Sequence, residues 1–114
     1  AVTALCIFIW GVRIMGRETE IVRIPVRLQN QRKMLRAIES GRSGYLSAPA
    51  CRGLKVLTNA QQDELVLIIT WESAEAHDES LRGPHCAAFF EGVVALAAGP
   101  PQTARYQPAI DEQN

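Results

Sequence analysis

The sequence predicts an α+β domain, an antiparallel sheet with helices over one face. Three observations predict it. Residues 65–71, LVLIITW, form a short apolar run rich in strand formers and too short for a buried helix. Residues 30–41 place Met34, Leu35 and Ile38 in a narrow stripe, with Arg32, Lys33, Arg36 and Glu39 outside it, the pattern of a surface helix. The polar stretch 59–63 separates strand-like residues 53–58 from 64–71 by the length of a hairpin loop.

Taken in order, residues 4–14, ALCIFIWGVRI, have strand composition. They form either an extra strand in a hairpin or an arm exchanged with a partner subunit. Residues 15–18 turn the chain. Residues 19–28 alternate, with Val22, Ile24, Val26 and Leu28 on one side and Arg23, Pro25 and Arg27 on the other. Pro25 removes a ladder donor, which predicts a bulge or a local edge. Asn30 caps the helix over 30–41 and Gly41 ends it, with 42–46 adding a short turn. Residues 53–58 and 64–71 are the second and third strands. Leu65, Leu67, Ile69 and Trp71 share one face of the third; Val66, Ile68 and Thr70 share the other. Ser73 stops that strand and caps a helix over 74–82, with Glu75 in its first turn to suit the dipole. Gly83-Pro84 breaks it, and Pro84 opens the next helix, 84–98. Gly99-Pro100-Pro101 ends that helix, and 102–107 is the last strand. The order β-α-β-β-α-β is the ferredoxin-like split βαβ arrangement. Residues 1–18 are then an N-terminal extension, 19–108 the domain and 109–114 a tail. Helices cover one apolar face of the third strand. A second copy of the chain is the economical cover for the other, which predicts a homodimer.

Length argues for one domain, at 114 residues. Twelve basic and 12 acidic residues cancel, so charge gives no reason to expect nucleic acid or an anionic membrane. The apolar start is too short to span a bilayer. Cys6, Cys51 and Cys86 have no metal-type spacing; free thiols in a reducing compartment, the cytoplasm, are the reading. The sequence has no Gly-rich phosphate loop, no Ser-His-Asp order, no H-E-x-x-H and no CxxC. Nothing in it demands a nucleotide, flavin or metal, so no cofactor is expected.

The stretch Trp71-Glu72-Ser73, Glu75-Ala76, Leu81, then Pro84-His85 and an Ala/Phe helix resembles the antibiotic biosynthesis monooxygenase family. Upstream, residues 45–57, YLSAPACRGLKVL, resemble its second signature, a Pro-Gly-Cys-type turn leading into a strand, with Ala50 where the family commonly has Gly. The resemblance covers roughly residues 20–108. It implies a dimeric α+β barrel and cofactor-independent oxidation of a quinol- or anthrone-like aromatic by O₂. Two departures stand out. Leu67 occupies the position, four before the Trp, where anthrone-oxidising members have Asn. The haem-degrading branch has Asn on its first strand and His ten after the Trp; here the strand lacks Asn and that position is Leu81.

Several side chains suit such chemistry. Trp71 is either a wall for an aromatic substrate or a core anchor. His85, near a helix N-terminus, is held neutral by the dipole and suits proton abstraction from a phenol; a surface or capping role is the alternative. His77 is the rival base. A regular helix puts it on one face with Leu81, pointing inward or capping the core edge. Arg23 and Arg27 would hold an acidic or phenolate substrate, or else face solvent or the other subunit. Tyr45 and Tyr106 are possible hydroxyl donors. The same pocket without a catalytic base would make a non-catalytic small-molecule-binding or stress protein.

Overall fold

The computed structural model describes residues 16–46 and 50–110. The strand-like run 4–14 lies outside them. So do the side chains of Tyr45 and His85, whose backbones are placed in helices. The elements are β1 (Glu18–Pro25), a 3₁₀ turn (Leu28–Asn30), α1 (Gln31–Leu46), β2 (Cys51–Thr58), β3 (Glu64–Trp71), α2 (Ala74–Leu81), α3 (Pro84–Leu96) and β4 (Gln102–Tyr106). The sheet order is β2-β3-β1-β4, every neighbour antiparallel, which is the expected ferredoxin-like arrangement.

The alternation read from the sequence sets the two sheet faces. Val22 pairs with Leu67 and Ile24 with Leu65, and all four are buried on the helix side. Met34 and Ile38 of α1 and Phe89 and Val93 of α3 complete that core. Gly41 sits where the two helices press together. A Cβ there would lie 2.8 Å from a ring carbon of Phe89. The expectation that Gly41 ends its helix fails for this reason: glycine serves close approach, and α1 runs on to Leu46.

The first strand is also shorter than read. β1 stops at Pro25, so Arg27 and Leu28 leave the sheet, and Leu28 is 62% exposed in the 3₁₀ turn. Of the two alternatives at Pro25 the local edge is the one found: no register shift occurs there, and the β4 ladder ends at Arg23, leaving Pro25 paired with β3 alone. The sheet's irregularity lies in β2, between Cys51 and Gly53. Asn30, read as the cap of the first helix, falls in the 3₁₀ turn before α1, whereas the starts of α2 and α3 are as read. Ser73 accepts a hydrogen bond from the Ala76 amide at 3.1 Å, and Pro84 opens α3.

The second sheet face carries Ile21, Val66, Ile68 and Ala104, all half-buried, and the exposed Leu57 and Tyr106. Cys51 and Cys86 are buried thiols. No described helix is long and apolar enough to cross a membrane.

Candidate functional site

At the far end of the same helix-covered face the strand pattern turns acidic. The buried phase of β1 reads Glu18, Glu20, Val22, Ile24, so two carboxylates enter the interior beside Trp71 at the end of β3. Buried carboxylates need partners, and α2 and β4 supply them. His77 of α2 is 0% exposed. Its Nδ1 lies 2.6 Å from Glu18 Oε2, and its Nε2 lies 3.3 Å from Glu20 Oε1. The second contact is within Coulombic reach but off the line of a hydrogen bond. The imidazole stacks on Trp71 with centroids 4.4 Å apart and planes 7° from parallel. The Trp71 indole N–H donates to Glu20 at 3.1 Å. Arg105 of β4 donates through two nitrogens to the two oxygens of Glu18, each at 2.9 Å. It also reaches Asp78 at 2.6 Å and the Ala74 carbonyl at 3.1 Å.

The charges set one another. Burial works to lower the proton affinity of His77, but the carboxylates of Glu20 and Glu18 outweigh it and raise its pKa above the ordinary value. Burial likewise works to raise Glu18, and is overcome by hydrogen bonds from Arg105 and His77, so its pKa is lowered. Glu18, Glu20 and Asp78 thus surround Arg105 and His77 in one network that runs from the interior to the surface. Among the described residues no group of His, Cys, Asp and Glu is arranged to hold a metal ion.

A cleft of about 390 Å³ opens beside this cluster. Its described lining is Ala50 before β2, Glu72 after β3, and Ala76, Glu79 and Ser80 of α2. Glu72 pairs with Arg52 of β2. Trp71 and His77 are the chain neighbours of two lining residues, yet both turn into the core and neither lines the cleft.

A family model described as antibiotic biosynthesis monooxygenase matches residues 19–92. The chain belongs to the antibiotic biosynthesis monooxygenase family. Solved structures agree with this fold. A monooxygenase from the ActVA-Orf6 gene of Streptomyces coelicolor, in complex with nanaomycin D, superposes with TM-score 0.76 at 19% identity, covering 88% of this chain and 94% of that one. A variant of SnoaB, a cofactor-independent oxygenase from Streptomyces nogalater, gives 0.75 at 13% identity, covering 84% and 96%. Rv0793 from Mycobacterium tuberculosis gives 0.72 at 25% identity, covering 87% and 100%. No curated protein matches the chain significantly.

Within this family member, the residues singled out in the sequence are dispersed. Trp71 and His77 meet in the buried stack. Leu81, expected to share the face of His77, is 45% exposed, because α2 ends one turn later and its last residue leaves the sheet. Arg23 is on the opposite sheet face, paired with Glu64 at 3.0 Å. The backbones of Tyr45 and His85 lie in the last turn of α1 and the first turn of α3. Sequence reasoning missed Glu18, Glu20 and Arg105. The signal was available: all three fall in the inward phase of their strands, where an acidic or basic residue demands a partner.

Proposed function

We propose that this protein is a cofactor-independent monooxygenase that oxidises a quinol- or anthrone-like aromatic with O₂, working as a homodimer. Membership of the family supports the reaction class. The observation that carries the reading is the cleft between α2 and the ends of β2 and β3. Its volume lies in the range of small-molecule sites, and alanines form part of its lining.

The base we assign is His85. It rides on the first turn of α3, and the Gly83 amide just before that turn donates to the carbonyl of the cleft residue Ser80 at 3.0 Å. The helix N-terminus disfavours an imidazolium there. His77, flanked by two carboxylates, favours the cationic form and is poorly suited to accept a proton. For an anthrone-like CH₂ the chemistry balances without a cofactor. The base takes one C–H proton, and the carbanion gives an electron to O₂. The resulting radicals join in a C–O bond to form a peroxide. Breaking its O–O bond, with loss of the second C–H proton, leaves the new carbonyl and one water. Tyr45 is assigned as a hydroxyl donor to the substrate, and Trp71 as support for the wall from behind. Arg23, on the far sheet face with Glu64, is assigned to the subunit contact. There Ile21, Val66, Ile68 and Leu57 would be covered by the second copy.

The test is oxygen uptake with a panel of quinols and anthrones, wild type against His85→Gln. Uptake above the spontaneous rate that His85→Gln abolishes supports the reading. No uptake with any of them overturns it. Saturable binding without uptake would favour a non-catalytic small-molecule-binding protein, a reading that the burial of His77 away from the cleft also suits.

A further inference from the structure

Helix α2 forms one wall of the cleft, yet it has little hydrocarbon to hold it down. It is eight residues long, and His77 is its one buried residue. A helix this short has no stability of its own and takes its place from tertiary contacts. Its neighbours on the sheet are Glu18 and Glu20 of β1, Trp71 of β3 and Arg105 of β4. Arg105 reaches it twice from the side, through Asp78 and through the Ala74 carbonyl.

We propose that His77 and Arg105 are positioning residues that together dock α2, and with it the cleft wall of Ala76, Glu79 and Ser80, onto the acidic end of β1. Each does a different part. Arg105 satisfies both oxygens of Glu18 and clamps the first turn of α2 to the outermost strand of the β1 edge. His77 supplies the ring that fills the space over Trp71 and the cation that balances the second carboxylate. Removing Arg105 takes two donors from Glu18, and removing His77 takes away the ring that faces both carboxylates, so either change weakens the hold of β1 on α2.

The docking therefore depends on protonation. The charged groups facing the imidazole are Glu18 and Glu20 from β1 and Arg105 from β4, with Asp78 on its own helix. The proton on His77 is bound more tightly in the docked state, so undocking is favoured once the pH rises through the docked pKa. Below that point α2 stays closed on the sheet. Above it, the two carboxylates no longer face a cation on α2, and the wall loosens.

Hydrogen exchange of the full chain tests this directly. Exchange of α2 amides is followed from about pH 6 to about pH 9, bracketing an upward shift from the ordinary histidine value of ~6.5. Intrinsic rates are corrected, α3 amides serve as the internal reference, and imidazole resonances report the charge of His77. We expect α2 protection to fall about tenfold in step with loss of the imidazolium, while α3 changes less than about twofold. In Arg105→Gln and His77→Phe, α2 should exchange rapidly already at about pH 6. Constant α2 protection through the His77 titration overturns the proposal, as does wild-type α2 protection in both variants. If the variants do not fold, the wild-type series decides alone. The measurement needs no turnover, so failure to consume oxygen would not bear on it.

Discussion

One face of the sheet holds two very different interiors. At one end, Val22 and Ile24 meet Leu65 and Leu67 beneath Met34, Ile38 and Val93, hydrocarbon against hydrocarbon. At the other, a few residues along the same strands, Glu18 and Glu20 meet Trp71 beneath His77, with Arg105 closing the side. The first end is held by burial, which has no direction and does not titrate. The second is held by aligned charges, which hold only while every member keeps its protonation state. The cleft lies beside the second end. A wall docked by charges can be released by a proton, whereas a wall docked by leucines cannot.

The comparison breaks most forcefully at Leu67. Leu67→Ala should cost about 2–5 kcal/mol of unfolding free energy, the range for a fully buried leucine. That cost should be the same across the pH range where the protein is folded, as read by urea denaturation. A pH-dependent penalty would mean that the two ends are not independent.

His77→Phe sharpens the contrast at the other end. It keeps a flat ring over Trp71 but removes the imidazole's contacts with Glu18 and Glu20, and should cost about 1–3 kcal/mol near neutral pH. The sign with pH follows from the raised pKa of His77. The wild-type advantage is fully present below the unfolded histidine pKa and disappears as pH rises through the folded one. The gap between wild type and variant should therefore narrow on the alkaline side. On the acid side Glu18, whose pKa is lowered in the fold, contributes stability above its unfolded pKa that is lost as pH falls through the folded one. Chemical denaturation at a series of pH values reads both limbs. A constant gap would show that the ring, and not its charge, holds α2.

The apolar end was legible in the sequence, and the polar end only in part. Leu65 to Ile69 form an unbroken run of strand formers, and the hairpin, the Ser73 cap and Pro84 each carry a local signal that needs no tertiary context. Glu18 and Glu20 fall in the inward phase of β1, but their partners are distant in the chain: Arg105 for Glu18, 87 positions downstream, and Trp71 for Glu20, 51 positions downstream. Gly41 misled for a similar reason. Its closeness to Phe89 is a contact between two helices, invisible in a local window where glycine reads as a stop. His77 was noticed, but its partners are separated from it by 57 and 59 positions, so a base and a buried cation looked alike.

The smallest expected effect lies on the other side of the sheet. Arg23 belongs to the same strand as the acidic pair, but to the opposite phase, and its bond to Glu64 is largely exposed to solvent. A pair of that kind contributes ~0–1 kcal/mol. Arg23→Ala should leave urea stability within about 0.5 kcal/mol of wild type at low protein concentration. It should also leave ligand affinity at the cleft unchanged, since the sheet stands between the two. Any effect should appear instead in self-association, measured by sedimentation, because Arg23 shares its face with Ile21 and Val66. A loss of ligand affinity with intact assembly would place Arg23 in the binding site after all. It would require that site to lie on the sheet face opposite α2, and the polar end of the interior would then be a structural cluster with no bearing on what the protein binds.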